Sequence, residues 1–129
     1  MNLDKKRIET GAAPPALGPY SQAISVRASG LVFVSGQIPL NPAGEIEGET
    51  AAEQAETCLR NIAAILETAG AGMDSVVKVT VFLKTMADFG AVNEVYAKFF
   101  GAPYPARACI GGLELPKDVL VKIEAVAAV

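Results

Sequence analysis

Residues 50–84 read TAAEQAETCLRNIAAILETAGAGMDSVVKVTVFLK, and this stretch indicates the fold class. Thr50 and Glu53 form a capping-box pattern that opens a helix ending near Gly70. The helix has apolar residues at the three- and four-residue spacing of one buried face: Ala55, Cys58, Leu59, Ile62, Ile65, Leu66 and Ala69. Residues 76–84 then alternate as a strand does, with four apolar residues on one side: Val77, Val79, Val81 and Leu83. This pairing predicts helices packed on a sheet.

Further elements are predicted on both sides of this stretch. We expect strands at residues 6–9, 23–27 and 31–38, with residues 28–30 as a tight hairpin between the last two. Asp88 can cap a second helix that Gly101 stops, with an apolar stripe of Phe89, Val92, Tyr96, Phe99 and Phe100.

The chain is predicted to end in two strands. Residues 106–115 and 119–127 read as extended, with a turn at residues 116–118. The predicted order is β-β-β-α-β-α-β-β. We therefore expect one α+β domain over residues 1–129, with a mixed β-sheet and two helices on one face.

The sheet face without helices is predicted to be an interface. Two helices cover only one face, and the other then carries Phe82, Leu120, Val126 and half of the 31–38 strand. Hydrophobic residues make up 51% of the chain, and monomers rarely expose large apolar patches. We therefore expect partner subunits on this face.

Composition excludes several classes of site. The 129 residues include no histidine, which excludes Ser-His-Asp and Cys-His nucleophiles and histidine-based metal sites. Cys58 and Cys109 are far apart and form no metal-binding or redox motif. The net charge of −3 disfavours nucleic acid as a partner. No metal or cofactor is expected, so chemistry must come from carboxylates, Arg, Lys, Tyr and backbone groups.

Location is predicted from the same features. No apolar run approaches the length of a membrane span, so we expect no membrane partner. Residues 5–7 are basic, but no apolar stretch follows them. A secretory signal is therefore not expected, and we predict the cytoplasm.

Arg107 and Glu124 are the leading candidates for chemistry. If residues 106–115 and 119–127 are neighbours, strand alternation places both side chains on the helix-free side of the sheet. The guanidinium fork suits a carboxylate, and a carboxyl group can move protons for a water molecule. The alternative is an ion pair that closes an oligomer interface.

The structural alternatives are stronger for the other candidates. Tyr20 either offers its hydroxyl to a ligand or packs on the surface. Ser35 and Gly36 lie at the end of a strand, where they form either part of a ligand site or a β-bulge. Asn93 lies beside the apolar stripe of its helix. Cys109 as a nucleophile would need a base, and Lys122 as a Schiff-base lysine would need burial.

Five motifs resemble those of the RidA (YjgF) family. They are GPYSQA (18–23), VSGQIP (34–39), VNEVY (92–96), PARAC (105–109) and LPKDVLVKIEA (115–125). They span nearly the whole chain in order, and the run from residue 105 to 125 is the most specific. The resemblance implies a chorismate-mutase-like (ferredoxin-like) fold and a homotrimer with three sites between subunits.

The resemblance also implies an activity and roles. The family activity is deamination of 2-iminobutanoate and 2-iminopropanoate to 2-oxo acids and ammonia, without a cofactor. Arg107 would bind the substrate carboxylate, Glu124 would place and activate the water, and the Cys109 backbone would orient the water or the imine. The pocket would be shaped by Tyr20, Ser35, Gly36 and Asn93.

Two departures from the family pattern bear on substrate size. Ala108 stands where many members have Ser, and Gly111 and Gly112 stand where many have bulkier residues. We expect these glycines to widen the pocket. The alternative function is a ligand-binding, regulatory or chaperone-like trimer that uses the same cleft without turnover. An RNA role is disfavoured by the net charge and by the lack of interleaved basic and aromatic residues.

Overall fold

A computed structural model describes residues 4–129, which form two β-sheets and two α-helices. Strands β1 (Asp4–Ile8) and β2 (Ala23–Arg27) pair in an antiparallel ribbon. The second sheet has the order β3-β6-β4-β5 and contains β3 (Leu31–Gln37), β4 (Val76–Leu83), β5 (Ala106–Ile110) and β6 (Val121–Ala128). Only β4 and β5 are parallel. The predicted α+β class and mixed sheet are confirmed.

Two helices pack on one face of the larger sheet. Helix α1 (Ala51–Thr68) begins at the predicted capping box, where the Thr50 hydroxyl accepts from the Glu53 N–H and the Glu53 carboxylate accepts from the Thr50 N–H. Helix α2 (Phe89–Phe99) lies beside α1. The core between helices and sheet is apolar, and its largest fully buried members include Tyr96, Leu59, Ile62, Leu66, Leu83 and Ile123. Within residues 4–129, no helix is both long and apolar enough to span a membrane.

The predicted hairpin at residues 28–30 is wrong. Strand β2 pairs with β1, and β3 pairs with β6, so no ladder joins β2 to β3. The backbone N–H groups of Ser29 and Gly30 both donate to the Val129 carbonyl at the end of β6. These donors are therefore used to anchor the start of β3 to the sheet instead of closing a turn.

The second helix starts where predicted, directly after Asp88, but its capping and the last two strands need correction. The Asp88 side chain makes no capping hydrogen bond to α2; a 3₁₀ turn (Met86–Asp88) precedes the helix, and the Thr85 hydroxyl accepts from the Ala87 N–H. Strand β5 ends at Ile110 because Gly112, with φ of +73°, turns the chain away from the sheet.

The C-terminal strand begins later than predicted and lies elsewhere in the sheet. Leu120 lies in the loop before β6 and packs against the core, not on the helix-free face. Strand β6 pairs with β3 and β4, which leaves β5 on the outer edge of β4. The assumption that the last two strands are neighbours is therefore wrong.

Gln54 joins helix α1 to the loop that leads into β6. Its side chain is buried, its amide group donates to the Gly48 carbonyl at 3.1 Å, and its amide oxygen accepts from the Leu120 N–H at 2.7 Å. A single side chain thus satisfies two backbone groups that no strand or helix pairs.

Gln54→Leu should lower the free energy of unfolding by about 1–3 kcal/mol, because it leaves the Leu120 N–H and the Gly48 carbonyl unpaired. Chemical denaturation followed by circular dichroism, at equal protein concentrations, measures this loss. The matched control is Arg60→Ala, which removes an exposed ion pair with Glu56 on the same helix. That change should cost no more than about 0.5 kcal/mol. Equal stability of the two variants would contradict the assigned role of Gln54.

Candidate functional site

Arg107 and Glu124 lie on opposite faces of the sheet. On β4, Val79 is paired with Arg107 of β5 and with Ala125 of β6, and this set faces the helices. The next residue, Thr80, is paired with Glu124 and faces the other way. The expectation that Arg107 and Glu124 share the helix-free side is therefore wrong. Their partners on β4 are adjacent residues, and adjacent residues of a strand face opposite sides of the sheet.

Arg107 lies in a pocket of aromatic and polar side chains. Its guanidinium carbon is 4.8 Å from the centre of the Tyr96 ring, 5.4 Å from Tyr20 and 5.6 Å from Phe89. Its Nη1 donates to the Asn93 side-chain oxygen at 2.6 Å. We call this group the arginine pocket: Tyr20, Phe89, Asn93, Tyr96, Arg107 and Cys109.

Helix α2 supplies one side of the arginine pocket. Phe89, Asn93 and Tyr96 are spaced by four and three residues, so they share one helical face. Tyr20 lies in a loop, and its hydroxyl accepts from the Leu17 N–H. The N–H and hydroxyl of Ser21 donate to the backbone carbonyls of residues 105 and 104, which connects this loop to the segment before β5. The sequence motif around Tyr20 thus holds its ring over Arg107.

No acidic side chain among residues 4–129 forms an ion pair with Arg107. The ion pairs found in residues 4–129 involve other side chains, and none includes Arg107 or Glu124. A half-buried guanidinium that faces rings and one amide keeps most of its N–H donors for a ligand. Its planar fork matches a carboxylate.

Cys109 and Tyr96 stay protonated near Arg107. Burial raises the pKa of the Cys109 thiol, and the nearby Arg107 charge only partly opposes this shift. Burial likewise raises the pKa of the Tyr96 hydroxyl. Neither group is therefore an anion at neutral pH, and Cys109 lacks the thiolate that a nucleophile requires.

Glu124 lies with Ser35 and Gly36 on the other face. The β3–β6 register shifts between Val34 and Gln37, so Ser35 and Gly36 form a β-bulge opposite Glu124. A cleft of about 300 Å³ opens here. We call it the glutamate cleft, and it is lined by Phe33, Val34, Ser35, Lys78, Thr80, Glu124, Ala125 and Val126.

The structure thus divides the predicted site residues into two groups. Tyr20, Asn93, Arg107 and Cys109 meet in the arginine pocket, and the other three meet at the glutamate cleft: Ser35, Gly36 and Glu124. In the described part of the chain, no three or more Cys, Asp or Glu side chains are grouped as metal ligands.

Sequence reasoning missed two members of the arginine pocket. Phe89 and Tyr96 were assigned to the apolar stripe, yet their rings face Arg107. Their spacing from Asn93 was the available signal, because residues four before and three after it share its face. The Tyr96 hydroxyl is also buried without a hydrogen-bond partner among residues 4–129.

The unusual glycines do not widen the pocket. A Cβ on Gly111 would lie 2.3 Å from Cγ of Met86, so that space is already filled. Gly112 lies at a turn with open space around its Cα. Ala108, which is paired with Thr80, lies on the same side of the sheet as Glu124.

The chain matches a known protein family over most of its length. A family model described as endoribonuclease L-PSP matches residues 10–129. The chain belongs to the RidA (YjgF) family.

Similar proteins have related names. A RutC family protein of Sinorhizobium fredii is 52% identical over 92% of this chain and 94% of its own length. The chloroplastic Reactive Intermediate Deaminase A of Arabidopsis thaliana is 45% identical over 98% of this chain and 67% of its length. The crystal structure of Escherichia coli TdcF with bound serine matches with a TM-score of 0.72 and 44% identity, over 96% of this chain and 98% of that one.

Asn93→Asp tests whether Arg107 is an open anion site. The new carboxylate would lie where the Asn93 oxygen now accepts from Arg107 and would compete with a ligand for the guanidinium. We expect calorimetry to show affinity for pyruvate reduced about tenfold or more. Asn93→Ala removes this hydrogen bond without adding a negative charge, so it should lose less affinity for pyruvate. Wild-type affinity in Asn93→Asp would contradict this role for Arg107.

Proposed function

We propose that this protein is a cytoplasmic homotrimer that hydrolyses 2-imino acids to 2-oxo acids and ammonia, at sites shared between subunits and without a cofactor. The substrates are 2-iminopropanoate, which forms from 2-aminoacrylate, and 2-iminobutanoate. The observation that carries the proposal is that Arg107 and Glu124 lie on opposite faces of the sheet and that neither forms an ion pair within residues 4–129.

Arg107 binds the substrate carboxylate in this proposal. The aromatic rings and Asn93 fix the plane of the guanidinium before a ligand arrives, so little conformational freedom is lost on binding. A fixed guanidinium orients a 2-imino acid by two parallel hydrogen bonds. The imine carbon, which is bonded to that carboxylate, then has a defined position.

In this proposal Glu124 comes from a second subunit. Its place on the opposite face of the sheet from Arg107 of its own chain supports this arrangement. The helix-free face also exposes large apolar side chains, with Phe33 73% and Leu31 53% accessible. Covering these side chains with a neighbour supplies the driving force for assembly. The three-fold symmetry of the proposal comes from the family resemblance.

The reaction needs one water and one proton carrier. Glu124 accepts a proton from the water as the water oxygen bonds to the imine carbon, and passes this proton to the imine nitrogen, which gives a carbinolamine. Glu124 then takes the hydroxyl proton of the carbinolamine and passes it to the amine nitrogen. The C–N bond breaks as the carbonyl forms, which releases ammonia and the 2-oxo acid and leaves Glu124 as a carboxylate again.

The modest chemistry of the site suits this reaction. Imines of this type hydrolyse unaided, so positioning a water and a substrate is enough for a useful acceleration. Cys109 does not act as a nucleophile, and its role is limited to its backbone and to packing. The protein named Reactive Intermediate Deaminase A and the serine complex of TdcF support a small amino acid derivative as the ligand.

The roles of Arg107 and Glu124 should separate in kinetics. Glu124→Gln keeps the shape but cannot exchange a proton, so kcat should fall about 10²–10⁴-fold while affinity for pyruvate survives. Arg107→Ala and Arg107→Lys should lose both activity and affinity, because an ammonium cannot replace the planar fork. Ammonia release from imines made by an amino-acid oxidase, and calorimetry with pyruvate, measure these effects.

Cys109→Ser is the control for this comparison, since it keeps the backbone and should retain turnover. A Glu124→Gln variant that binds and turns over like the parent would assign Glu124 a structural role. A wild-type protein that binds pyruvate but does not accelerate ammonia release would leave the non-catalytic trimer as the function.

Mixed trimers test the sharing of sites directly. Equal amounts of Arg107→Ala and Glu124→Gln subunits are unfolded together and refolded. They should recover about a quarter of wild-type activity, because an intact site needs Arg107 from a Glu124→Gln subunit and Glu124 from an adjacent Arg107→Ala subunit. Light scattering confirms the trimer mass. The two variants refolded separately are the control. No recovery in mixed trimers would mean that each site lies within one subunit.

A further inference from the structure

Lys122 lies beside Glu124 in a position that the proposed reaction does not use. Strand alternation places Lys122 and Glu124 on the same face of β6, about 7 Å apart along the strand. Lys122 is paired with Phe82 of β4, and Glu124 with Thr80. The two charged residues therefore share one face of β6, where Glu124 lines the glutamate cleft and Lys122 lies two residues before it.

The side chain of Lys122 is held in place. Its stem crosses to β3 over Gly36, where a Cβ would lie 2.2 Å from Cε and 3.3 Å from Nζ. Its Nζ lies 5.9 Å from the centre of the Phe82 ring. Lys122 is half-buried, so the ammonium has a limited range of positions between Phe82 and the β-bulge. Gly36 leaves room for this stem because it has no side chain.

The ammonium has no acidic partner in the part of the chain that the structure describes. The ion pairs of residues 4–129 do not include Lys122, and Glu124 is not bound to it. A half-buried cation gains from an anion that displaces its remaining water. This face of β6 therefore offers a carboxylate to the water and, two residues along the strand, a cation to the substrate.

We propose that Lys122 binds a second carboxylate in the substrate, so that the site accepts 2-imino dicarboxylic acids with one or two methylene groups between the imine carbon and the distal carboxylate. This inference rests on the proposed function. Arg107 of one subunit holds the first carboxylate, the imine carbon lies beside Glu124 of the neighbour, and the side chain of the substrate extends along β6 to Lys122. The spacing of about two strand residues between Glu124 and Lys122 matches such a short side chain.

Calorimetry with 2-oxo acids, the products of these imines, tests the inference on the intact assembly. The ratio of affinities for 2-oxoglutarate and pyruvate should fall about tenfold or more in Lys122→Met, because a charged hydrogen bond to the distal carboxylate is lost. Lys122→Arg should keep most of the ratio. The matched control is Lys98→Met, an exposed lysine on α2 that should not change it.

Three outcomes would overturn the inference. The ratio could stay the same in Lys122→Met, or both affinities could fall equally. Lys78→Met could also lower the ratio instead, which would assign the distal carboxylate to the lysine that lines the glutamate cleft. Arg107→Ala separates these from failure of the proposed function. Pyruvate binding that survives Arg107→Ala contradicts the proposed function, whatever Lys122→Met does to the ratio.

Discussion

The alternation of side chains along β4 is the constraint on which the arrangement of charges depends. This strand lies inside the sheet, paired with β5 on one side and β6 on the other. Val79 and Thr80 are adjacent, so their partners must face opposite ways. Arg107 follows Val79 toward the helices, and Glu124 follows Thr80 away from them. A shift of one residue in the β4–β6 ladder would bury Glu124 under the helices, and the same shift in the β4–β5 ladder would turn Arg107 away from its aromatic rings; both changes are costly.

Local signals in the sequence were sufficient for the helices and for the faces of single strands. The capping box at Thr50 predicted the start of α1, and alternation along residues 76–84 correctly placed Val79, Val81 and Leu83 on one face, which is buried. The bulge at Ser35 and Gly36 was also anticipated as one interpretation. Each of these features depends on residues close together in the chain, where spacing determines which side chains can meet.

Strand order was beyond these signals because it depends on pairing between distant segments. Residues 106–115 and 119–127 look like a hairpin, but β6 instead pairs with β3 and β4. The assignment of Arg107 and Glu124 to one face followed from the assumption that these two segments are neighbours. Because they are not, Arg107 was assigned to the wrong face of the sheet. The family motifs named the candidate residues, yet a motif match carries no register. Register came only from the ladders of the folded sheet.

Separation of the two charges has a physical advantage for a site of this kind. An arginine and a glutamate within reach of each other in one chain would form an ion pair, and a substrate carboxylate would have to displace Glu124 before binding. On opposite faces of the sheet, each group keeps its charge free in the subunit. Assembly as proposed would bring an Arg107 and a Glu124 from different subunits to the two sides of one substrate, with the imine between them. The same separation gives a reason for the aromatic rings around Arg107. They stabilise a cation by its attraction to their faces without adding a negative charge that would compete with the ligand.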